Sequence, residues 1–260
     1  MTGNAGIASS TTRRRAGRNL AEAQDWVGTL VSVRPPLLRG MDSTQLAALL
    51  SETTVQVMRR PTEILRQGEP AKWGYLILKG QIEVTFIDVD GNRILAHLAK
   101  PGEVMGEVEQ FSGRTCAATC TTLPDTAVML FDAALILRHM PAQLLLRNFA
   151  SIFHERLMRD NQQQSVAMFY AAEDRIRIHL LSMTSVAMPE VRISQTELAG
   201  FAGCSRQTVN KTLSLLRAEG IVDMGRGSIR VLDRTKLEGP HSSIDRIVGD
   251  PEAEDLQPAV

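Results

Sequence analysis

The spacing of glycine divides this chain into segments of different character, and this division constrains the fold more than any other feature of the sequence. Between residues 55 and 131, short runs of β-type residues alternate with turn signals. These turn signals are Gly68, Gly80, Asp90-Gly91 and Pro101-Gly102. From residue 133 to about 170 there is no glycine, and apolar residues recur at helical spacing. The pattern predicts an all-β roll or barrel followed by one long helix.

The composition is that of an ordinary globular protein with room for two domains. Of the 260 residues, 43% are hydrophobic and 22% are charged, and 29 basic side chains balance 29 acidic ones. Three cysteines do not make the disulfide framework of a secreted protein, which indicates a reducing compartment. We find no secretory signal and no apolar run of about 18 residues, so we expect a cytoplasmic protein without a membrane span.

Both ends of the chain have compositions that favour disorder. The first 30 or so residues are rich in Ser, Thr, Gly and Arg, and they predict a flexible basic arm. The last residues are acidic and interrupted by prolines, which predicts a disordered tail. The predicted boundaries are 1–34 for the arm, 35–137 for the β-roll, 138–170 for the long helix, 171–237 for a third domain and 238–260 for the tail.

The glycine-free stretch carries an apolar stripe with two alternative partners. Leu146, Phe149, Phe153 and Leu157 follow one another at steps of three and four residues, and polar residues interrupt the stripe at Asp160-Asn161. The stripe packs either on the β domain of the same chain or on the same helix of a second chain. A polar interruption is how a pair of helices fixes its register, which favours a dimer.

Two helix start signals lie close together in the third domain. Ser194 with Glu197 three residues later forms a capping box, and the helix that it opens stops near Gly203. Ser205 can then cap a second helix. Two helices joined by a turn of about three residues containing Gly form a helix-turn-helix, whose second helix can enter the major groove of DNA.

The second of these helices has one apolar face and one hydrogen-bonding face. Val209, Leu213 and Leu216 share the apolar face. The side chains that we expect to contact DNA are the capping Ser205 and the polar residues Arg206, Gln207, Asn210 and Lys211, with Ser214 on the same face. By itself, such a stripe is typical of any solvated helix surface. Base contacts are made at the N-terminal end of the helix, where Arg206 and Gln207 lie.

The residues after this helix predict a basic β-hairpin. Two short strands flank Gly225-Arg226-Gly227, so that Arg226 can lie along a phosphate strand as in the wing of a winged helix. Residues 191–236 contain eight Lys or Arg against four Asp or Glu, a local net charge of +4 in a chain that is neutral overall. This local charge favours a polyanion, and with the helix pair it predicts binding to double-stranded DNA.

A segment centred on Gly106 carries the residue types that bind a phosphate group. Backbone N–H groups beside Gly106 and Val108 can approach an anion, Arg114 can donate two hydrogen bonds to it, and Thr115 adds a hydroxyl. A phosphate would repel Glu107, so we assign Glu107 to the hydroxyl of a sugar. The alternative is that Glu107 and Arg114 pair with each other at a turn.

At this point the residues resemble the bacterial transcription regulators of the cyclic-AMP receptor protein and fumarate-nitrate regulator family. The resemblance covers roughly residues 35–236 and is most specific in the CSRQTV segment, Cys204–Val209. It implies an α+β chain with an N-terminal cyclic-nucleotide-binding β-roll, a long dimerisation helix and a C-terminal winged helix-turn-helix. It also implies a homodimer that binds a two-fold symmetric DNA site and contacts RNA polymerase.

The resemblance assigns roles to the residues of the phosphate-binding segment and implies a cyclic nucleotide effector. Gly106 and Glu107 would contact ribose and phosphate, Arg114 would neutralise the cyclic phosphate, and Thr115 would donate its hydroxyl. On the long helix, Asp160-Asn161 stands where the cyclic-AMP receptor reads adenine with Thr-Ser. We predict cyclic AMP as the effector, with cyclic GMP as the alternative.

Two departures from the family pattern bear on phosphate binding, and two bear on the DNA sequence. Glu109 stands where the family usually has a small residue, and Cys116 where it often has Ala. The family's Arg-Glu-x-x-x-Arg becomes Arg206, Gln207 and Lys211. Arg206 should still select guanine, a contact worth about 1 to 3 kcal/mol, whereas Gln207 suits adenine. We therefore predict half-sites related to TGTGA but different from it.

Other interpretations stay open. The regulator could be independent of ligand, or gated by redox state, a cyclic dinucleotide or a protein partner, with a vestigial pocket. Cys116 and Cys120 could form a redox pair, although buried packing is commoner for cysteine. We predict no metal site, because the five histidines lack metal-ligand spacing and the N-terminus has no cysteine for an iron-sulfur cluster. We predict no enzymatic activity, since no nucleophile and base accompany Glu107 and Arg114.

Overall fold

The computed structural model describes residues 26–91 and 93–238. Most of the predicted arm, residues 1–25, and nearly all of the predicted tail, residues 239–260, lie outside the described residues. The chain divides into two compact units, Met1–Glu155 and Arg156–Val260. No helix among the described residues is long and apolar enough to cross a membrane.

The first unit contains two antiparallel four-stranded sheets. Its strands in chain order are β1 (Thr54–Met58), β2 (Thr62–Leu65), β3 (Gly74–Lys79), β4 (Ile82–Ile87), β5 (Arg93–Ala99), β6 (Val104–Met105), β7 (Thr119–Thr122) and β8 (Thr126–Phe131). One sheet has the strand order β1-β8-β3-β6 and the other has the order β2-β7-β4-β5. The β4–β5 pairing confirms the hairpin predicted at Asp90-Gly91, and Gly91 takes the positive φ of +84° that the turn requires.

The β3-β8 pair lies at the centre of the first unit and is buried on both faces. Successive side chains of a strand point to opposite faces. Tyr75 and Ile77 of β3 therefore enter the core between the two sheets. Leu76 and Leu78 enter a second core, which also contains Met129 and Phe131 of β8 and buried side chains from the helices. A strand covered on both faces reads as a continuous apolar run, which is why YLIL was predictable as a strand.

The helices of the first unit cover the outer face of the β1-β8-β3-β6 sheet. The helical segments are α1 (residues 26–33), a 3-10 turn (Pro36–Leu38), α2 (Ser43–Glu52), α3 (Glu107–Ser112), α4 (Ala133–His139) and the start of α5 (Ala142–Phe169). Residues 26–33 were expected to belong to the flexible arm, and that expectation is wrong. They form a helix because Leu30, which is 1% exposed, packs into the helical core.

The long helix begins later than its apolar pattern predicted. Residues 133–169 form two helices, and α5 begins at Ala142 instead of residue 138. Met140 has extended backbone angles, as expected for a residue that precedes a proline. The carbonyl of Pro141 then accepts the first hydrogen bond of α5, from the N–H of Leu145 at 3.0 Å. Proline fits at a helix start because its missing N–H has no partner there.

The second unit contains the end of α5 and a small helical domain with a three-stranded sheet. Its elements are α6 (Ala172–Met183), β9 (Glu190–Val191), α7 (Gln195–Phe201), α8 (Arg206–Ala218), β10 (Val222–Gly225), β11 (Ser228–Val231) and α9 (Arg234–Glu238). The sheet has the order β10-β11-β9 and is antiparallel. The predicted α+β class, with a β-roll, a long helix and a winged helix-turn-helix, is confirmed.

Candidate DNA-binding surface and nucleotide pocket

The caps of the helix pair form as their residues predicted. The Ser194 side chain accepts a hydrogen bond from the Glu197 N–H, and the Glu197 carboxylate accepts one from the Ser194 N–H at 2.8 Å. The turn passes through Gly203, whose φ is +56°. The Ser205 hydroxyl then accepts from the Thr208 N–H at 3.1 Å and so caps α8. Both helices of the pair therefore start at hydrogen bonds that the sequence encodes locally.

The faces of α8 are as predicted. Val209, Leu213 and Leu216 are at most 1% exposed and anchor the helix. The polar side chains on the other face are all exposed: Arg206, Gln207, Asn210, Lys211 and Ser214. Hence α8 presents a row of donors and acceptors to solvent while its position is fixed by apolar packing.

The predicted wing forms beside this surface. Strands β10 and β11 pair from Val222 opposite Val231 to Gly225 opposite Ser228, which leaves Arg226 and Gly227 as a two-residue turn. Arg226 is exposed, and Gly227 has a φ of +76°. Arg206 lines a cavity of about 310 Å³ together with the wing residues Gly225 and Gly227. The first turn of α8 and the wing thus border one groove.

Ion pairs sort the cations of this domain into two groups. Four of the eight basic side chains in residues 191–236 lie within 4 Å of a carboxylate: Arg217 with Asp223, Arg230 with Glu190, Arg234 with Glu238, and Lys236 with Asp233. The Arg230–Glu190 contact, at 2.6 Å, lowers the pKa of Glu190 mainly through the hydrogen bond that it accepts. Two of these carboxylates, Glu190 and Glu238, lie just outside residues 191–236, so including them lowers the local net charge from +4 to +2.

The other four cations have no carboxylate within 4 Å among the described residues. Within the described residues, Arg192, Arg206, Lys211 and Arg226 make no ion pair, and all four are exposed. Three of them were predicted to contact DNA. Arg192, two residues before the capping Ser194, was not among the predicted site residues, although the local charge count had included it. Exposed cations without protein partners are available to phosphate oxygens.

The nucleotide-binding segment begins in a backbone conformation that only glycine adopts readily. Gly106 has a φ of +79° and precedes α3. A Cβ at this position would lie 2.9 Å from the backbone carbonyl oxygen of Trp73. Glu107 follows as the first residue of α3 and is only 1% exposed, whereas Val108 is 38% exposed. The segment therefore holds one buried carboxylate next to the point where the backbones of Gly106 and Trp73 pass close to each other.

Glu107 and Arg114 do not pair with each other, so that alternative interpretation is wrong. Arg114 is exposed and makes no ion pair within the described residues. Thr115 is also exposed and forms a β-bridge with Pro70. Arg114 and Thr115 are thus available to a ligand, but both side chains face solvent in this structure.

Cys116, which directly follows the exposed Arg114 and Thr115, is buried and only 3% exposed. Its N–H donates to the Glu69 carbonyl, and its own carbonyl accepts from Gly68, both at 2.8 Å. Burial raises the pKa of the Cys116 thiol, and the negative charge of Glu109 raises it further. The Glu109 carboxylate also accepts a long hydrogen bond of 3.4 Å from the Ala117 N–H. A backbone N–H that could face a phosphate already has an anion of the protein beside it.

Helix α3 is connected to α5 by aromatic contacts. Phe111 of α3 meets Phe149 of α5 edge to face, with ring centroids 4.9 Å apart. Phe149 in turn stacks on Phe153 at 5.7 Å. Phe149 is therefore partly buried within the first unit, whereas Leu146, Phe153 and Leu157 of the same stripe are 71%, 45% and 59% exposed.

The remaining predicted residues are the Asp160-Asn161 pair on α5 and the cysteines. Asp160 and Asn161 lie in the part of α5 that belongs to the second unit, and both are exposed. Cys116 and Cys120 form no disulfide and are buried in one hydrophobic core, and Cys204 is partly buried. No group of three His, Cys, Asp or Glu side chains suited to a metal ion occurs in residues 26–91 and 93–238.

Comparison with known proteins agrees with this architecture. Residues 55–140 match the cyclic nucleotide-binding domain family, and residues 174–239 match the Crp-like helix-turn-helix domain family. The chain is 28% identical over 207 residues to the cyclic AMP receptor protein of Thermus thermophilus, covering 78% of this chain and 95% of that protein. It is 26% identical over 192 residues to the CRP-like protein Clp of Xanthomonas campestris, covering 67% and 82%.

A solved structure shows the same fold. FixK2 from Bradyrhizobium japonicum superposes with a TM-score of 0.60 at 23% identity, covering 72% of this chain and 96% of that one. The two family matches occupy the two segments that the sequence assigned to the nucleotide and to DNA, and a further relative, from Mycobacterium tuberculosis, is a CRP-like cAMP-activated global transcriptional regulator. The protein belongs to the Crp/Fnr family of DNA-binding transcription regulators and carries a cyclic nucleotide-binding domain.

Proposed function

We propose that this protein binds a two-fold symmetric DNA site as a homodimer and reads each half-site with α8. The observation that carries the proposal is the exposed polar face of α8, together with four exposed cations that make no ion pair within the described residues: Arg192, Arg206, Lys211 and Arg226. Arg206 and Gln207 contact base edges, and Ser205, Asn210, Lys211 and Arg226 contact the bases or phosphates around them. RNA polymerase is the proposed protein partner of the complex.

Selection of binding sites from random DNA tests this reading. The wild-type protein should select half-sites with a guanine that disappears from the Arg206→Ala selection, because Arg206 is the side chain assigned to guanine. Arg217→Ala is the matched control: Arg217 is also an exposed arginine of α8, but it lies 3.8 Å from Asp223. Equal guanine preference in wild type and Arg206→Ala would contradict the assignment.

The proposed dimer forms through α5. Leu146, Phe153 and Leu157 are exposed along this 28-residue helix, and burying such side chains between two copies gains about 25 cal/mol per Å² of apolar surface. Two helix-turn-helix domains related by a two-fold axis would then fit half-sites about 34 Å apart on successive major grooves.

We further propose that a cyclic nucleotide, first of all cyclic AMP, gates the DNA affinity of the dimer. Support comes from the match to a cyclic nucleotide-binding domain, from the name of the Thermus relative and from the buried Glu107 beside the tight Gly106 turn. Glu107 would accept from the ribose hydroxyl, Arg114 and Thr115 would bind the phosphate, and Asp160 or Asn161 would read the base. The ligand would shift the dimer between two arrangements of its DNA-binding domains, of which only one fits DNA. It can do so only by binding one arrangement more tightly than the other.

A second candidate is a regulator of the same kind that binds DNA without a cyclic nucleotide. One observation favours it: the inward position of the phosphate segment is a thiol, Cys116, with the Glu109 carboxylate at the neighbouring Ala117 N–H. A cyclic phosphate at that N–H would have to displace a like charge. In this case the β-roll keeps its structural role and another signal, such as a dinucleotide or a protein partner, sets the activity.

One experiment separates the two candidates. Calorimetric titration with cyclic AMP, cyclic GMP and a cyclic dinucleotide is combined with operator binding at fixed salt. Under cyclic nucleotide gating, ligand changes the operator affinity of the wild type, and Glu107→Ala and Arg114→Ala abolish that change. If cyclic AMP and cyclic GMP give neither heat nor a change in operator affinity, and both variants bind DNA as the wild type does, the second candidate holds.

A further inference from the structure

Arg175, on the first helix after α5, donates hydrogen bonds to three backbone carbonyls and makes no ion pair within the described part of the chain. Its Nε donates to Ala202 at 2.6 Å, its Nη2 donates to Gly203 at 3.0 Å, and its Nη1 donates to Tyr170 at 3.0 Å. All three partners lie outside α6. One guanidinium thus connects three separate segments of the second unit.

The three carbonyls come from two helix ends that meet at this cation. Tyr170 directly follows the last residue of α5, and Ala202 and Gly203 form the end of α7 and the turn before α8. Carbonyls at the C-terminal end of a helix lack intrahelical partners and form the negative end of its dipole. A planar guanidinium has five donors in a rigid fork, so Arg175 can satisfy several such carbonyls at once.

These hydrogen bonds hold the end of α5 and the helix pair α7–α8 in one relative orientation. Tyr170 and Ala171 are the link between α5 and α6. Without the Arg175 contact, rotation in this link would change the angle between the end of α5 and the helix pair α7–α8. In a dimer joined through α5, that angle determines the distance and orientation between the two copies of α8.

We propose that Arg175 is a positioning residue that sets the spacing of the two half-sites that the protein accepts. The inference rests on the proposed function, because it requires a dimer that reads DNA with α8. It assigns to Arg175 no contact with DNA. Arg175 acts through the backbone of Tyr170, Ala202 and Gly203.

The test measures the affinity of the full-length protein for a set of palindromes. The half-site is the one selected by the wild type, and the spacer between half-sites is lengthened or shortened one base pair at a time. A duplex with a single half-site measures the affinity of one helix-turn-helix domain alone. The variants are Arg175→Met, which removes the donors, and Arg175→Lys, which keeps the charge but not the fork.

Arg177 provides a matched control on the same helix. Its Nη1 also donates to backbone carbonyls, at 3.3 Å to Lys236 and 3.4 Å to Leu237, but these carbonyls belong to α9. Arg177→Met should therefore keep the spacing preference of the wild type. It reports any general effect of removing a guanidinium from α6.

We expect Arg175→Met to bind the palindrome of preferred spacing about tenfold more weakly than the wild type, as for the loss of one charged hydrogen bond. Its preference over the neighbouring spacings should shrink by a similar factor, and its affinity for the single half-site should stay close to that of the wild type. Arg175→Lys should be intermediate, and it gives the decision if Arg175→Met unfolds.

Two results would overturn the inference. An Arg175→Met or Arg175→Lys protein with the spacing preference of the wild type would remove the positioning role. So would an equal loss on the single half-site and on every palindrome, because that is the effect of a damaged domain. A wild-type protein that binds no palindrome would instead contradict the proposed function itself, and this outcome is separate because it does not involve the variants.

Discussion

Two buried threonines of the second unit differ in whether their hydroxyl groups have partners. Thr212 on the inner face of α8 and Thr184 are both 4% exposed. The Thr184 hydroxyl donates to the Leu180 carbonyl at 2.6 Å. The Thr212 hydroxyl has no hydrogen-bond partner within the described residues. A buried polar group without a partner destabilises the fold, whereas a satisfied one does not.

We therefore expect opposite effects from the same substitution at the two sites. Thr212→Val should raise the free energy of unfolding by about 1 kcal/mol, because valine has the same shape without the hydroxyl. Thr184→Val should lower it by about 1 kcal/mol, because a buried hydrogen bond is lost. Urea unfolding measures both, and a loss of stability in Thr212→Val would contradict the expectation.

His179 of α6 is a buried base that the fold keeps neutral. Burial and, to a smaller extent, the positive charge of Arg175 together lower its pKa from 6.5 to about 4. The unfolded chain therefore binds a proton at higher pH than the folded protein does. Stability is complete above pH 6.5 and falls as the pH drops toward 4, because protonation then favours the unfolded chain.

We expect this difference to lower the free energy of unfolding by roughly 2 kcal/mol between pH 8 and pH 5. Urea unfolding at both pH values should show a smaller loss for His179→Leu than for the wild type. His154→Gln, at an exposed histidine of α5, should lose as much as the wild type. The same pH dependence in His179→Leu and His154→Gln would show that His179 is not the cause.

At the scale of elements, the start of α8 has two roles that substitution can separate. Ser205 caps the helix through the Thr208 N–H, and it lies on the face proposed to meet DNA. Ser205→Ala removes the cap, so we expect the free energy of unfolding to fall by about 1 kcal/mol. Ser205→Asp keeps a capping oxygen and should keep the stability.

For operator affinity, we expect the order of the two substitutions to be reversed: Ser205→Asp should be the more damaging one. The new carboxylate of Ser205→Asp would repel phosphate, so its operator affinity should fall more than that of Ser205→Ala. Thermal unfolding together with operator titration at one salt concentration checks both quantities. If Ser205→Asp bound the operator as the wild type does, the N-terminal end of α8 would not face DNA.

The elements with local signals were predicted, apart from the start of the long helix, whereas strands that depend on tertiary pairing were missed. The α7 and α8 caps need only residues three apart in sequence. Strand β2 shows no alternation of its own, and it is a strand because it pairs with β7, more than fifty residues later. The early start predicted for the long helix has a local cause, since the Met140-Pro141 break was overlooked within an apolar pattern.

At the scale of the whole molecule, the exposed apolar side chains of α5 predict the assembly. Leu157 is 59% exposed, and a charge at its position would be buried without a partner in the proposed helix pair. We expect Leu157→Glu to sediment as a monomer. It should also lose the part of its affinity for palindromic DNA that comes from binding both half-sites at once. Gln162→Glu, five residues further on and on the opposite side of the same helix, is the control for added negative charge.

A monomeric wild-type protein at the concentrations that bind DNA would contradict the dimer. So would a Leu157→Glu protein that stays dimeric with unchanged operator affinity. Neither outcome would affect the identity of the family, which rests on the two matched domains and on the helix pair.

The sequence alone determined the division into a β-roll, a long helix and a helix-turn-helix with its polar reading face. These features depend on periodicity, caps and turn glycines, which act over a few residues. Only the tertiary structure decided which cations lack a carboxylate, that Arg114 and Thr115 face solvent while Cys116 lies beside Glu109, and that Arg175 joins Tyr170 to Ala202 and Gly203. Contacts between residues far apart in the chain have no local signal, because they form only when the packed core brings the segments together.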